Sequence, residues 1–242
     1  MGWGGDHTAW AFQIPALAAE FDVVALDNRG AGQSDAPDRR FTISDMADDV
    51  VGLMDELGVR TAHICGASMG GMIAQELALR HPERVLTLQL HCTTAGVDDY
   101  GRLVIDNFLR VKARGDTAEF VHFTLPWLLS RKTFADNPAF VEAWIQRALE
   151  YPFPTSLVGM SRQGEAIRAH DTQARLSSLR VPTLITTGTE DILVPPSASE
   201  HLHTLIPGSE LRRIPDAGHM HFIEQAPTFN EISLDFIRKH RA

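Results

Sequence analysis

Ser68 lies at the centre of the stretch HICGASMGGMIAQ, flanked by Gly66 and Gly70 in a Gly-x-Ser-x-Gly arrangement. An apolar, strand-like run leads into it and a helix-like run leaves it. The serine is therefore expected on a sharp strand-to-helix turn, which closes only with small neighbours such as Ala67, Gly70 and Gly71. Such a turn lifts the hydroxyl above a sheet edge and aims the next helix's N-terminus at it, leaving the Met69 amide to stabilise a developing oxyanion. A serine hydroxyl is a poor nucleophile without a base. AGHMHFIE supplies His219 in a loop after ELRRI, and TGTEDILVPP supplies Asp191 directly beyond TLITT. In the chemistry this set suggests, His219 takes the Ser68 proton and returns it to the leaving group, while Asp191 fixes the imidazole tautomer and stabilises its charged form.

Competing residues narrow the assignment. Glu190 adjoins Asp191, but side chains alternate at a strand end, so one of the two faces the site and Asp191 is preferred. His221 follows His219 by two positions and could pair with it on a metal; no further ligand completes a set, and no metal is expected. His63, His91, His201 and His203 read as packed or surface residues. LDNRGAGQSD carries Gly30 and Gly32 after an apolar run, but Asp35 replaces the third glycine of a dinucleotide loop and no helix opens there. No cofactor is expected.

The elements that must position these residues alternate. FDVVALD (21–27), AHIC (62–65), VLTLQL (85–90), TLITT (183–187) and ELRRI (210–214) read as strands. Between them, helical spacing runs from Ile43 to Leu57, with Thr42 and Asp45 as a capping box and Gly58 as the stop, and again over MGGMIAQELALRH, near 198–205 and up to about His240. This pattern predicts an α/β fold with a doubly wound, mostly parallel sheet. The alternation fails between residues 97 and 175, where a helical segment rich in aromatics intervenes. The expected organisation is a core of residues 1–96 and 176–242 with a helical cap, 97–175, over the carboxyl edge of the sheet. Most of the cap's aromatics should hold its own small core, with Trp127, Phe123 and Trp144 expected to wall a substrate pocket.

Bulk composition excludes several classes. A net charge of −9 argues against nucleic acid and anionic membrane surfaces, and 44% hydrophobic with 22% charged residues is a globular balance. No apolar run reaches the ~18 residues of a spanning helix, and the first residues lack the regions of a signal peptide, so a cytoplasmic location is expected. Cys65 and Cys92 have no metal spacing and read as free thiols.

Over nearly its whole length the chain resembles the α/β-hydrolase superfamily, on the DNRGAGQSDAP loop, the GASMGG turn, HPERV, GTEDILVPP, AGHMHFIEQAP and the order serine, aspartate, histidine. CGASMGGMIAQELALRHPERV is especially similar to 3-oxoadipate enol-lactonases and related small carboxylesterases. The resemblance implies a serine hydrolase acting on a small ester or lactone, with a non-catalytic binding homologue and a cofactor-free haloperoxidase or perhydrolase as alternatives. A pocket-facing Arg110, Arg114, Arg131 or Lys112 would support an anionic enol-lactone. The resemblance also explains the opening MGWGG. Its GWGG matches the turn after the family's third strand, which makes the Trp3 amide the second oxyanion donor. The family's first hairpin and third strand, on the order of thirty residues, have no counterpart ahead of it. Two strands, 21–27 and 62–65, would then either close up on each other or await a missing neighbour, at ~1–3 kcal/mol for each buried unpaired backbone group. A shortened form of a longer protein is the favoured expectation.

Overall fold

The computed structural model describes residues 1–240. Ahead of the sheet lie α1 (Ile14–Ala18) and α2 (Ile43–Glu56), the latter opened by the expected reciprocal Thr42–Asp45 box and followed by Gly58 at φ +66°. Four parallel strands follow in spatial order: β1 (Ala62–Ala67), β2 (Val85–His91), β3 (Thr183–Gly188) and β4 (Glu210–Ile214). Parallel neighbours need crossovers, and helices supply them. α3 (Met69–Arg80) joins β1 to β2, α9 (Pro196–Leu205) joins β3 to β4, and α10 (His221–Glu224) and α11 (Ala226–Lys239) close the chain. Between β2 and β3 stand α4 (Asp99–Lys112), α5 (Thr117–Leu128), α6 (Arg131–Asp136), α7 (Pro138–Glu150) and α8 (Leu157–Ala169). No described helix is long and apolar enough to cross a membrane.

The sheet buries apolar side chains on both faces, as a parallel sheet must. On one face Met46, Leu77, Leu88 and Leu90 pack together; on the other, Trp10, Phe222 and Phe229 meet Val121, Leu125 and Ile145 from the inserted helices. Between β2, β3 and α10 a row of polar groups is also buried. His91 Nδ1 lies 2.7 Å from Thr186 Oγ1, which lies 2.7 Å from His221 Nε2.

Residues 21–27 correct the sequence reading. They form no strand, and Val24 is 56% exposed. β1 has one sheet partner, β2, on its other side. A β-branched run becomes a strand only where a neighbouring backbone offers a ladder, and here the contact is between side chains, Phe21 against the His63 ring at 5.7 Å. The two segments do not close up.

The inserted helices join the core through a narrow neck. Outgoing residues 94–96 and returning residues 171–172 run antiparallel, with the Thr172 N–H donating to Ala95 O at 2.8 Å and a bridge between Gly96 and Asp171. Both arms are tied to α3. Gln75 donates to Thr94 O and accepts from the Thr172 hydroxyl, and the buried Glu76 carboxylate is gripped by both terminal nitrogens of Arg175. Arg175→Met removes the charge that compensates a buried carboxylate. It should lower unfolding free energy by about 2 kcal/mol in urea denaturation at pH 7; an unchanged midpoint would show that the neck draws no stability from the pair.

Candidate active site

Ser68 occupies the turn between β1 and α3 with φ +57° and ψ −120°, a conformation costly for any residue with a side chain. Its backbone is held from both sides. The N–H donates to His91 O at 2.8 Å, and the carbonyl accepts from the Thr93 hydroxyl at 2.7 Å and the Gly71 N–H at 2.9 Å. A Cβ on Gly66 would stand 2.2 Å from Gly70 O, so strand and helix meet at this angle only without one. Met69 is the first residue of α3, and its N–H has no intrahelical partner.

The N-terminal turn packs directly on this serine: a Cβ on Gly2 would lie 3.0 Å from Ser68 Cβ. The Gly4 N–H donates to Gln163 Oε1 at 2.9 Å and the Gly5 N–H to Gly2 O at 3.1 Å, while the Trp3 N–H has no acceptor among the described residues. The Trp3 indole is fixed elsewhere, donating to Met160 O at 2.8 Å and stacking on Phe108 at 5.6 Å between ring centres. The side chain anchors the turn and the amide stays open.

His219 Nδ1 lies 2.8 Å from Asp191 Oδ2, and both residues are buried. The other carboxylate oxygen accepts the Leu193 and Val194 N–H groups, each at 2.9 Å, so the acid cannot swing away. Burial opposes the imidazolium, but the adjacent carboxylate outweighs it, with the Cys92 sulfur adding to the effect, and His219 is held well above the ordinary imidazole value. Glu190 points away and accepts the Arg131 N–H at 3.0 Å. His221 turns inward to Thr186, and burial followed by its histidine neighbours holds it neutral. Among the described residues the one cluster with metal-ligand spacing is Asp6, His7 and Asp27. There Asp27 already accepts from the His7 N–H and ring and the Gln33 N–H.

Ser68, Met69, Trp3, Cys92 and His219 share the wall of a cavity of about 800 Å³, roofed by the inserted helices. Ser68 Oγ and His219 face it without a hydrogen bond between them, as unliganded sites commonly do. Of the three aromatics expected to wall a pocket, Trp144 lines this cavity, and Phe123 and Trp127 are not among its lining residues. The cavity face of α5 carries Thr117, Phe120, Val121, Thr124 and Leu128. Phe123 and Trp127 lie about 100° around the helix from it. They pack on Phe108 at 5.2 and 6.0 Å. Apolar content showed that α5 buries a face but not which face meets the cavity.

Two residues at the site escaped the sequence reading. Cys92, in a left-handed conformation at φ +42°, lines the cavity beside His219. Gln163, buried in α8, bridges the N-terminal turn and the Arg29 carbonyl. Neither stands in a local motif; long-range packing alone places them. Trp127→Ala should lower the thermal midpoint by roughly 5 °C while leaving acyl-length preference unchanged, and Trp144→Ala should alter the preference. Hydrolysis rates across an acyl series beside melting curves test this, and a changed preference in the Trp127 variant would refute it.

Comparison with known proteins places the arrangement. A model of the alpha/beta hydrolase fold family matches residues 1–226. The RutD protein of Caulobacter vibrioides, named for carbamate hydrolysis, is 32% identical over 246 residues, covering 98% of this chain and 87% of that protein. The crystal structure of the enol-lactonase from Burkholderia xenovorans LB400 is 30% identical with a TM-score of 0.88, over 98% of this chain and 88% of that one. A thermophilic esterase from Thermogutta terrifontis is also 30% identical at a TM-score of 0.88, over 99% and 88%. With its parallel sheet and a serine turn at the carboxyl end of β1, the chain belongs to the alpha/beta hydrolase fold family.

Proposed function

We propose that the protein is a serine hydrolase that cleaves a small carboxylic ester or lactone through an acyl-enzyme, using no cofactor. The observation that carries this reading is the buried Asp191–His219 pair opening onto the same cavity as the strained Ser68. Ser68 Oγ attacks the substrate carbonyl carbon as His219 accepts its proton; the carbonyl oxygen gains the negative charge and is met by the Met69 and Trp3 N–H groups. Collapse of the tetrahedral adduct breaks the acyl–oxygen bond, and His219 protonates the leaving alkoxide. Water repeats the sequence on the acyl-serine, releasing the acid and restoring the hydroxyl. Relatives named for hydrolysis of a carbamate, an ester and an enol-lactone support acyl transfer as the reaction class.

The cavity also supports a substrate bearing a carboxylate. Of Arg110, Arg114, Arg131 and Lys112, Lys112 alone lines it. Its ammonium sits 4.9 Å from the Phe120 ring centre, and no carboxylate pairs with it among the described residues. Burial lowers its pKa, so an anion entering the cavity would relieve an uncompensated charge.

A fluorophosphonate probe should label Ser68, and Ser68→Ala should reduce hydrolysis below about a thousandth of the parent rate with the fold retained. Labelling without turnover of any ester or lactone would leave a binding protein. Lys112→Met should raise KM about tenfold for a carboxylate-bearing lactone and leave p-nitrophenyl acetate unaffected; equal effects would remove the anion-binding role.

His219 must be neutral to accept a proton, so activity rises with pH through its pKa. Because Asp191 holds that pKa above the usual value, the acid limb of kcat/KM should have its midpoint above pH 6.5. Asp191→Asn should lower the rate by ~10⁴ and move the limb to lower pH. A parent midpoint below 6.5 would contradict the assigned pair.

A further inference from the structure

The catalytic loops do not stand alone at the carboxyl edge of the sheet. The six-residue helix α6 (Arg131–Asp136) and the turn before it lie against both. A helix this short gains little from its own hydrogen bonds, and its first N–H groups need outside acceptors. The Ser130 hydroxyl takes the Thr133 N–H at 3.1 Å. The Arg131 N–H donates to Glu190 Oε2 at 3.0 Å, and the Ser130 N–H donates to Glu224 Oε2 at 2.8 Å. One acceptor precedes Asp191 by a single residue, and the other follows His219 by five.

The same carboxylates reach back into the loops. Glu224 Oε1 accepts the Gly218 N–H at 2.6 Å, immediately before His219. On the other side of that histidine, the Met220 N–H donates to Leu128 O at 2.9 Å. The peptide groups on both flanks of His219 are thus fixed by, or through, residues 128–130. The Glu190 N–H donates to Ala217 O at 2.8 Å, joining the acid loop to the histidine loop. A Cβ on Gly218 would lie 2.8 Å from Ser130 N, so the two backbones touch.

We infer that Glu190 and Glu224 are positioning residues: by holding the first turn of α6 they make the seating of the inserted helices set the orientation of the Asp191–His219 pair toward Ser68. The inference rests on the hydrolase reading above. A displacement of about 1 Å in the base can cost ~10²-fold in rate, so modest slack in this clamp is enough to matter.

Three variants separate positioning from general stability. Glu190→Ala removes the acceptor for Arg131. Arg131→Pro removes the donor of the same bond; proline suits the first helical position, and Ser130 at φ −70° and ψ 154° already has the backbone that precedes proline. Glu224→Gln keeps the side-chain volume but offers one carbonyl oxygen where two oxygens now accept. The measurements are the rate of Ser68 labelling by a small fluorophosphonate, kcat and KM for p-nitrophenyl acetate, and the thermal midpoint. In folded protein each variant should label at least about tenfold more slowly and lose kcat, with KM within about twofold of the parent. Glu190→Ala combined with Arg131→Pro should be no slower than either alone, since both break one bond. Parental labelling rates with a lowered midpoint would overturn the inference and leave the clamp purely structural. If the unaltered protein is not labelled, the hydrolase reading falls, and this inference with it.

Discussion

The backbone of Ser68 is held where a side-chain-bearing residue does not rest by choice, and the surrounding structure is arranged around keeping it there. His91 and Thr93, at and just beyond the end of β2, bond its amide and carbonyl, so the turn depends on β1 and β2 lying in register. Gly66 allows α3 to leave the strand at once, so the helix begins at Met69, directly after the serine. The N-terminal turn can then approach because Gly2 carries no side chain to collide with the serine. Each contact that strains the serine also brings a neighbour within reach of the group it would attack.

Three of the ties that hold the inserted helices over the cavity involve buried or catalytically placed elements of the core. The neck is bound to α3 through Gln75 and Glu76. α8 is bound to the N-terminal turn through Gln163 and through Met160, which receives the Trp3 indole. The start of α6 is bound to the loops of Asp191 and His219. Phe108 links the two sides of this layer: it lines the cavity with Trp3 and Phe120 and carries Phe123 and Trp127 behind it.

Local chemistry was legible in the sequence wherever a backbone constraint wrote itself into neighbouring residues. The Ser68 turn announces itself through Gly66, Gly70 and the change from strand to helix periodicity. The helix of residues 43–56 shows its cap in Thr42 and Asp45. Asp191 faces the histidine and Glu190 faces α6, although both stand in the turn beyond β3, where strand alternation no longer applies. What the sequence concealed depends on partners distant in the chain. FDVVALD has strand composition, yet a strand exists only where it ladders with another backbone, and among the described residues this segment joins no sheet. Phe123 and Trp127 have pocket composition, yet a rotation of about 100° on α5 directs them elsewhere. Cys92 and Gln163 have no motif at all.

The buried row of His91, Thr186 and His221 carries a consequence for the protein in acid. Burial depresses His91 to about 3, and burial with the nearby Arg175 outweighs Glu76 to bring His170 to about 4; His221 is also held far below the ordinary imidazole. In the unfolded chain these rings would take up protons near pH 6.5, so the unfolded state binds more protons than the folded one below that pH. Stability is therefore full above about pH 6.5 and erodes as the pH falls, by up to ~1.4 kcal/mol per unit for each such ring. His219 contributes with the opposite sign, its stabilisation fading only as pH rises through its own elevated pKa. Acidification thus protonates His219 first and then works on the sheet beneath it; the first change reverses as soon as neutrality returns, whereas the second asks the chain to fold again.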